Sequence, residues 1–351
     1  MGLGSAATLG LLALACLGSG CSSLGYYGQS VGGHLDLMTR ARPVAQVAAD
    51  PETPAALRDR LALTQRMRAF AVRELALPDN ASYTRYTDLQ RPAVVWNVVA
   101  APPLSLALQT WCFPVMGCVG YRGYFQRADA DVLAATLKAQ GLEVAVYPVP
   151  AYSTLGWTNW LGGDPLLNTF IHWPEGELAR LLFHELSHQV AYAPDDTTFN
   201  ESYATAVERL GGQRWLAQPG HEAARAEYER LDERRRDFRA LTLGTRQALQ
   251  AIYNSARSDD DKRRAKAEAM AAMRQQVQQL KQGPWQGFAG YDRWFEQANN
   301  ASFGVQAAYD DLVPAFERLF DRQGRDFARF HAEVRRLAAL PRAERRAALV
   351  P

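Results

Sequence analysis

Two long stretches of this chain carry apolar residues at helical spacing. Between Pro54 and Leu77, leucine and phenylalanine positions are interleaved with Arg and Glu, and Pro78-Asp79-Asn80 then supplies turn residues. The pattern predicts an amphipathic helix that stops before this turn. The segment 221–282 is longer, strongly charged and also periodic, with one interruption at Ser258-Asp259-Asp260-Asp261. It predicts a helical hairpin whose second arm is capped by Ser or Asp.

Short β-branched or aromatic runs occupy the middle of the chain. Val94–Val99 and Val144–Tyr147 are bounded by prolines and predict strands. Asp129–Gln140 lies between them and predicts a helix. The second half of the chain is mostly helical in pattern, with a last pair of helices predicted over 295–321 and 324–347. Together these features predict an α+β fold with a small mixed sheet and a predominantly helical C-terminal part.

Composition and charge argue against one large class of partner. The chain has 351 residues, of which 48% are apolar and 22% are charged, as is ordinary for a protein that buries a core. Its formal net charge of +2 is too close to zero to suggest a nucleic-acid partner. The basic run Arg234-Arg235-Arg236 is flanked by acids and is better explained as a solvated helix face. We therefore expect no nucleic-acid binding.

The first twenty residues differ from the rest. Gly10–Leu17 is an apolar stretch too short to span a membrane, and small residues lead from it to Cys21. This arrangement predicts a lipoprotein signal at 1–20, with Cys21 as the lipidated residue that anchors the protein to a membrane. Cys16 is a second candidate, and a plain cleaved signal is the alternative. Residues 21–33 predict a tether, and the serine after Cys21 favours sorting to the outer membrane.

The other two cysteines lie close together in the sequence. Cys112 and Cys118 flank a short segment that contains Pro114 and Gly117. Because an exported protein sits in an oxidising compartment, we expect a local disulfide that closes this small loop. Two buried free thiols are the alternative.

One predicted helix carries a candidate metal site. Leucine and valine recur at helical spacing over Glu177–Tyr192, which predicts a helix with a buried stripe. His184 and His188 are four residues apart, so both side chains leave the same face and can bind one ion at about 2.0–2.1 Å. Glu185 lies beside them, placed to accept a proton from an attacking water. This pattern can arise by chance, but the amphipathic context and the total of only six His argue for a metal site.

The next helix offers two carboxylates for a third ligand. Glu201 and Glu208 share a face but are separated by about 10 Å along the helix axis, so they cannot both bind one ion. Glu201 lies just after the loop Ala193–Thr198, which would fold this helix back beside His188, and it is the predicted ligand. Glu208 is expected either to hydrogen-bond a histidine ring N–H or to form a surface ion pair, and Asn200 is expected to support the ligands. Two histidines and one carboxylate favour a single zinc ion.

Four further residues are candidates for transition-state or substrate contacts. Tyr309 and Tyr203 are candidate donors to the oxyanion, although each would also serve as a core aromatic. Tyr152–Trp157 predicts a strand that pairs with a peptide substrate, and Gly156 would permit close backbone approach. Arg122 is a candidate for holding a substrate carboxylate or carbonyl; an Arg stacked between tyrosines is the alternative.

Short motifs run through nearly the whole mature chain and are more specific together than HExxH alone. They are Gly25-Tyr26-Tyr27, Gly33-His34-Leu35-Asp36-Leu37, Cys112–Val115, Tyr121–Phe125, Thr154–Trp157, Asp164-Pro165, Phe183–Gln189, Phe199–Ser202, Asn299-Asn300-Ala301 and Val313–Phe316. In this set the chain resembles the bacterial family of "putative lipoprotein aminopeptidases", of the gluzincin type of zinc metallopeptidase. The resemblance implies a zincin-like core, with His184, His188 and Glu201 as zinc ligands and Glu185 as the base. It also implies a lipid-anchored peptidase that faces the periplasm.

The expected function is therefore a zinc-dependent peptidase, an aminopeptidase by resemblance, that hydrolyses peptides in the bacterial cell envelope. The alternatives are a zinc endopeptidase with the same core, and an envelope lipoprotein with an assembly or chaperone role that docks through the charged hairpin. The expected organisation is a signal at 1–20, a tether at 21–33, a catalytic domain at 34–220 and a helical C-terminal region at 221–351 that packs on it.

Overall fold

The computed structural model describes residues 26, 28–113, 117–151, 163–194, 196–310 and 312–349. As predicted, these residues form an α+β fold. The helices are α1 at 28–39, α2 Val44–Ala49, α3 Ala55–Leu75, α4 Arg127–Ala139, α5 Glu175–Ser187, α6 Thr197–Leu216, α7 Glu222–Asn254, α8 Asp259–Gln282, α9 Asp292–Gln297, α10 Asn300–Asp310, α11 Val313–Arg322, α12 Phe327–Ala338 and α13 Arg342–Leu349. The strands are β1 Arg42–Pro43, β2 Arg85–Thr87, β3 Val95–Ala101, β4 Trp111–Phe113, β5 Gly117–Val119, β6 Arg122–Tyr124, β7 Glu143–Val149 and β8 Leu166–Leu167.

Two separate three-stranded sheets supply most of the β structure. In the first, β2 pairs antiparallel with β1 and parallel with β8. In the second, β3 is central, with β6 and β7 antiparallel on either side. Side chains of β3 alternate between two faces, so Val98 and Ala100 pack with α4 whereas Val99 and Ala101 pack with Ala301 of α10. Because α10 also packs on α6, this second face turns toward the helices that carry the candidate metal ligands.

A disulfide crosses the hairpin formed by β4 and β5. Cys112 and Cys118 are directly opposite in the register of the two strands, and their sulfur atoms are bonded. The ring of Tyr26 stacks on Phe113 of this hairpin, with 5.4 Å between the ring centroids. The hairpin therefore packs against the first residue that the structure describes. Helix α1 begins at residue 28, inside the segment for which we expected a tether.

Helices α5 and α6 form the most extensive helix pair of the described chain. Their approach is close because Gly211 and Gly212 stand where larger side chains would collide with neighbours. A Cβ atom on Gly211 would lie 2.7 Å from Leu75 Cδ1 and 3.0 Å from Phe183 Cδ2, and one on Gly212 would lie 3.0 Å from Arg180 Cγ. The apolar stripe of α5 is buried in the main core, as its spacing predicts.

Helix α5 is shorter than the sequence predicts. The expected end at Tyr192 is wrong, because the helix stops at Ser187 and His188 serves as its C-cap. The next two amides, those of Gln189 and Val190, donate to carbonyls only three residues back, which closes a tight last turn. The side-chain amide of Gln189 then donates to Ser82 Oγ at 3.1 Å, which ties this turn to the segment before β2.

The long charged segment forms the predicted hairpin of α7 and α8. Ser258 caps α8, since its hydroxyl accepts from the Asp261 amide at 3.2 Å. The two arms have a core of their own, which includes Tyr253, Met273 and Trp285. Within the described residues, no helix has both the length and the apolar character that a membrane span requires.

The prediction of two helices at the end of the chain is wrong. The region contains α9 to α13, because residues that interrupt a helix recur within it. Pro314 can stand only in the first turn of α11, Gly324 adopts a positive φ of 70° after it, and Pro341 precedes α13.

We predict that Gly211→Ala lowers the free energy of unfolding by about 1 kcal/mol, because the added methyl group collides with buried Leu75 and Phe183. Gly244→Ala is the matched control, since Gly244 lies in α7 with nothing within 4 Å of an added Cβ. It should stabilise by about 0.5–1 kcal/mol, the ordinary gain from Gly to Ala in a helix. Urea denaturation of both variants in chelator measures the two values, and equal shifts would contradict the close approach of α5 and α6.

Candidate metal centre

The two histidines lie at the end of α5, on one face. His184 is in the last turn of the helix and His188 is its C-cap residue, four positions later. Their Nε2 atoms are 3.2 Å apart, so both rings are directed at the same point. The side chain of His184 is 13% exposed and that of His188 is 7% exposed. The spacing of four residues thus produces the convergence that the sequence predicts.

The start of α6 brings a carboxylate to the same point. Asp196 caps this helix by accepting from the Phe199 amide at 3.2 Å. Asn200 does not contact the histidines in the described structure; its side chain instead bonds both to the amide of Ala193, at 2.8 Å, and to its carbonyl, at 2.9 Å. Asn200 therefore holds the loop between the two helices, and acts on the site only by fixing where α6 begins.

Glu201 completes a cluster of three potential ligands. Its Oε2 atom lies 3.3 Å from His184 Nε2 and 3.8 Å from His188 Nε2. Ligand atoms of the three residues all lie within 4.8 Å of one another, and no other cluster of this kind occurs among the residues that the structure describes. Because both imidazole nitrogens and one carboxylate oxygen converge, the donor set fits a single divalent cation. The cluster is a possible metal-binding triad.

Glu208 lies behind the triad. Its Oε2 atom is 3.0 Å from His184 Nδ1, and because an ionised carboxylate only accepts, the ring N–H must donate. Its Oε1 atom accepts from Arg180. The alternative from sequence is a surface pair with Arg209 or Arg214. In the part of the chain that the structure describes, Glu208 is instead buried with Arg180 and His184, whereas Arg209 pairs with Glu317 and Arg214 donates to main-chain carbonyls.

The buried histidines and carboxylates of the site have strongly shifted pKa values, and the two histidines shift in opposite directions. Burial alone would lower the pKa of His184, but hydrogen bonds to Glu201 and Glu208 raise it well above its ordinary value. Burial lowers the pKa of His188 to about 4, which keeps this ring neutral. Burial would raise the pKa of Glu208, but Arg180 and His184 outweigh it and lower the pKa to about 2. The carboxylate behind His184 is therefore ionised at neutral pH.

Glu185 is the titratable group beside the ligands. Its side chain is only partly exposed, and burial raises its pKa to about 7. The negative charge of Glu201 also raises this pKa, whereas the neighbouring His184 lowers it. A carboxylate with a pKa near neutral pH is suited to accept and return a proton.

The structure places the hydroxyl of Tyr203, a predicted oxyanion donor, in the core and not beside the candidate ligands. Its side chain is fully buried, and its hydroxyl bonds to His331 Nδ1 at 2.8 Å. The other ring nitrogen of His331 donates to the carbonyl of Leu75 at 2.9 Å, so Nδ1 accepts and Tyr203 donates. Since residues two apart on a helix point to nearly opposite sides, Tyr203 faces the core while Glu201 faces the ligands.

Arg122, the predicted substrate-binding residue, lies between two tyrosines, as the alternative from sequence has it. Its guanidinium lies 4.2 Å from the ring centroid of Tyr26 and 5.7 Å from that of Tyr124. On β6 it is paired with Val98, whose side chain faces α4. Because side chains alternate along a strand, Arg122 lies on the face of the sheet turned away from α10 and the candidate ligands.

Three other predicted site residues have no described side chain. Gly156 and Cys21 lie outside the described residues, and Tyr309 lies in α10 but its side chain is among those that the structure does not describe. Their assignments stay predictions.

Two tyrosines that we did not predict face the site. Tyr121 and Tyr147 pack with Val99 and Ala101 on the α10 side of the second sheet. Burial raises the pKa of both phenols, and the nearby negative charge of Glu201 raises them further. The alternation of side chains in β7 predicts two faces, but nothing in the sequence indicates which face of that strand meets α10.

The geometry of the site points to a class of protein, and a comparison with known families gives the family. Two histidines and a glutamate presented by paired helices define a candidate metal-dependent enzyme. The model of the family described as "Putative aminopeptidase" matches residues 25–349, and the chain belongs to this family. No curated protein and no solved structure gives a significant match. Membership of an aminopeptidase family makes a peptide the class of substrate.

Proposed function

We propose that this chain is a zinc-dependent aminopeptidase of the bacterial cell envelope. The observation that carries the proposal is the convergence of His184, His188 and Glu201 on one point, in a chain that belongs to an aminopeptidase family. Three protein ligands would leave a coordination position for water or substrate, and two of the three side chains, those of His184 and Glu201, are partly exposed. This arrangement supports a gluzincin-type HExxH site in a zincin-like core.

Zinc is the metal that the donor set favours. His184 and His188 supply imidazole nitrogen and Glu201 supplies carboxylate oxygen, which suit zinc better than softer or harder ions. When bound, zinc supplies Lewis-acid chemistry: it polarises a carbonyl and lowers the pKa of water to about 7.

Glu185 is the proposed general base. Its carboxylate accepts a proton from the water that attacks the peptide carbonyl and then returns it to the nitrogen of the leaving amine. The raised pKa supports both steps, because the acid form is accessible near neutral pH. The side chain is partly exposed, which leaves it open to substrate.

Tyr147 is the proposed donor to the oxyanion. The side-chain amide of Asn97 donates to the phenol oxygen of Tyr147 at 3.3 Å, so the phenol's own O–H is directed elsewhere. Within the described residues, no group accepts that proton, and the phenol is only partly buried. A pre-oriented donor near Glu201 is what a developing negative charge on the carbonyl oxygen needs.

The envelope location is supported by two features of the chain. The apolar stretch before Cys21 has the character of a lipoprotein signal, and the disulfide between Cys112 and Cys118 is typical of an oxidising compartment. We propose a lipid anchor on Cys21 and a catalytic part that faces the periplasm from the outer membrane. Fatty-acid labelling that disappears in Cys21→Ala is the test of this anchor.

We predict separable effects on turnover when the proposed residues are changed. Glu185→Gln should lower kcat by about 10²–10⁴-fold, since it removes the proton acceptor. Tyr147→Phe should lower kcat by about 10²-fold with little change in KM, because the oxyanion donor acts in the transition state. Tyr203→Phe is the matched control and should leave kcat unchanged. Steady-state kinetics on zinc-loaded protein, with zinc content measured on the same samples, checks all three.

Two outcomes of these kinetics would contradict the assignments. A Glu185→Gln protein that retains turnover with full zinc would remove Glu185 as the base. A larger loss in Tyr203→Phe than in Tyr147→Phe would return the oxyanion role to the α6 tyrosine.

The aminopeptidase assignment predicts a requirement for a free N-terminus. A peptide library should be trimmed one residue at a time from free N-termini, and acetylated copies of the same peptides should remain intact. Mass spectrometry of both digests measures this directly. Internal cleavage of acetylated peptides would instead establish an endopeptidase.

A further inference from the structure

Arg180 is a buried cation for which the reaction has no direct use. It lies on α5 four residues before His184 and eight before His188, so the three side chains share one face of the helix. Only 7% of the residue is exposed. Its guanidinium lies over the ring of Tyr228, 5.7 Å from the centroid.

Its one hydrogen-bonded partner in the described structure is Glu208. The Nε and Nη1 atoms of Arg180 are buried without a partner among the described residues, and Nη2 donates to Glu208 Oε1. The other oxygen of that carboxylate accepts from His184 Nδ1 at 3.0 Å. The two oxygens are therefore divided between one cation and one metal-ligating ring, which forms a chain from Arg180 through Glu208 to His184.

We propose that Arg180 is a positioning residue for the metal centre, which sets zinc affinity by holding the Glu208 carboxylate against His184. This inference rests on the proposed function, since it concerns the same metal site. A hydrogen bond that Nδ1 donates leaves the lone pair of Nε2 free and aims it at the ion.

Stability alone is a poor explanation for this arrangement. A buried ion pair is often no better than apolar residues of similar volume, and two Arg180 nitrogens, Nε and Nη1, that lack a partner among the described residues add to its cost. The charged group that faces Arg180 from α6 is Glu208, and Glu177 faces it from its own helix. Of these two, only Glu208 touches a predicted ligand.

The two histidines differ in whether their Nδ1 atoms have a hydrogen-bond partner. Nδ1 of His188 is buried and has no hydrogen-bond partner among the described residues. The orientation of His184 is thus held from behind by a charged chain, whereas the described residues provide no such support for His188. A disturbance at Arg180 should therefore reach the ion through His184.

The experiment compares zinc affinity across four variants of the full chain. They are Arg180→Met, Glu208→Gln, the double variant, and Arg235→Met as the control. Arg235 is a part-buried arginine whose guanidinium lies 5.9 Å from the centroid of the same Tyr228 ring, but its carboxylate partners, Glu177 and Asp232, touch no ligand. Competition between each protein and a chromophoric chelator for Zn²⁺ gives Kd, and circular dichroism in chelator gives the Tm of the metal-free fold.

We expect Arg180→Met to weaken zinc binding by about 10–100-fold, the usual effect of losing support behind a ligand. Arg235→Met should bind zinc as the unchanged chain does. In the Glu208→Gln background, Arg180→Met should change Kd by less than about twofold, because the path from Arg180 to His184 is already broken. The double variant carries no charge at position 180 or 208, so it has no buried unpaired charge there. If Arg180→Met alone does not fold, the double variant can still be compared with Glu208→Gln.

The outcomes separate the two proposals. If the unchanged chain and Arg235→Met both fail to bind Zn²⁺, the proposed zinc site is wrong. If both bind and Arg180→Met binds equally well, or if its effect persists undiminished in the Glu208→Gln background, the positioning role is overturned while the zinc site stands.

Discussion

The close packing of α6 against α5 is the constraint on which the rest of the site depends. Both helices contribute candidate metal ligands, and a carboxylate on α6 meets the histidines of α5 only if the helix axes approach closely. Gly211 and Gly212 permit that approach, since a Cβ at either position would meet buried neighbours within about 3 Å. The loop between the helices is held by Asn200, so the register of α6 along α5 is fixed at its start as well.

The same packing places charge where water is scarce. Glu201 and Glu208 lie on the side of α6 that meets α5. The negative charge of each carboxylate is offset by a histidine or by Arg180. Such compensation is required because an unpaired buried charge costs several kcal/mol. The side of the triad nearest Glu201 is the more open, with 20% of that side chain exposed.

Local rules of sequence predicted the ligands but not their surroundings. The spacing of His184 and His188 fixes a shared helix face. The rise of a helix excludes that Glu201 and Glu208 share one ion, and the position of Glu201 just after the connecting loop favours it as the ligand. The sequence could not show that Tyr203 and Arg122 lie on the faces of their elements turned away from the candidate ligands, because long-range packing decides which face is turned inward. Tyr147 was not predicted for the same reason, because its strand reaches the site through the contact of the second sheet with α10. The early end of α5 was missed because a turn held by Gln189 and Ser82 depends on a segment a hundred residues away.

X-ray absorption at the zinc K-edge of the purified, zinc-loaded chain tests the account most directly. The account predicts one zinc per chain, with two imidazole ligands at about 2.0–2.1 Å and light oxygen ligands at about 2.0–2.2 Å completing the coordination. It also predicts that Glu201→Ala loses the zinc while the fold is kept. A zinc environment without imidazole, or undiminished zinc in Glu201→Ala, would contradict the two-helix metal centre.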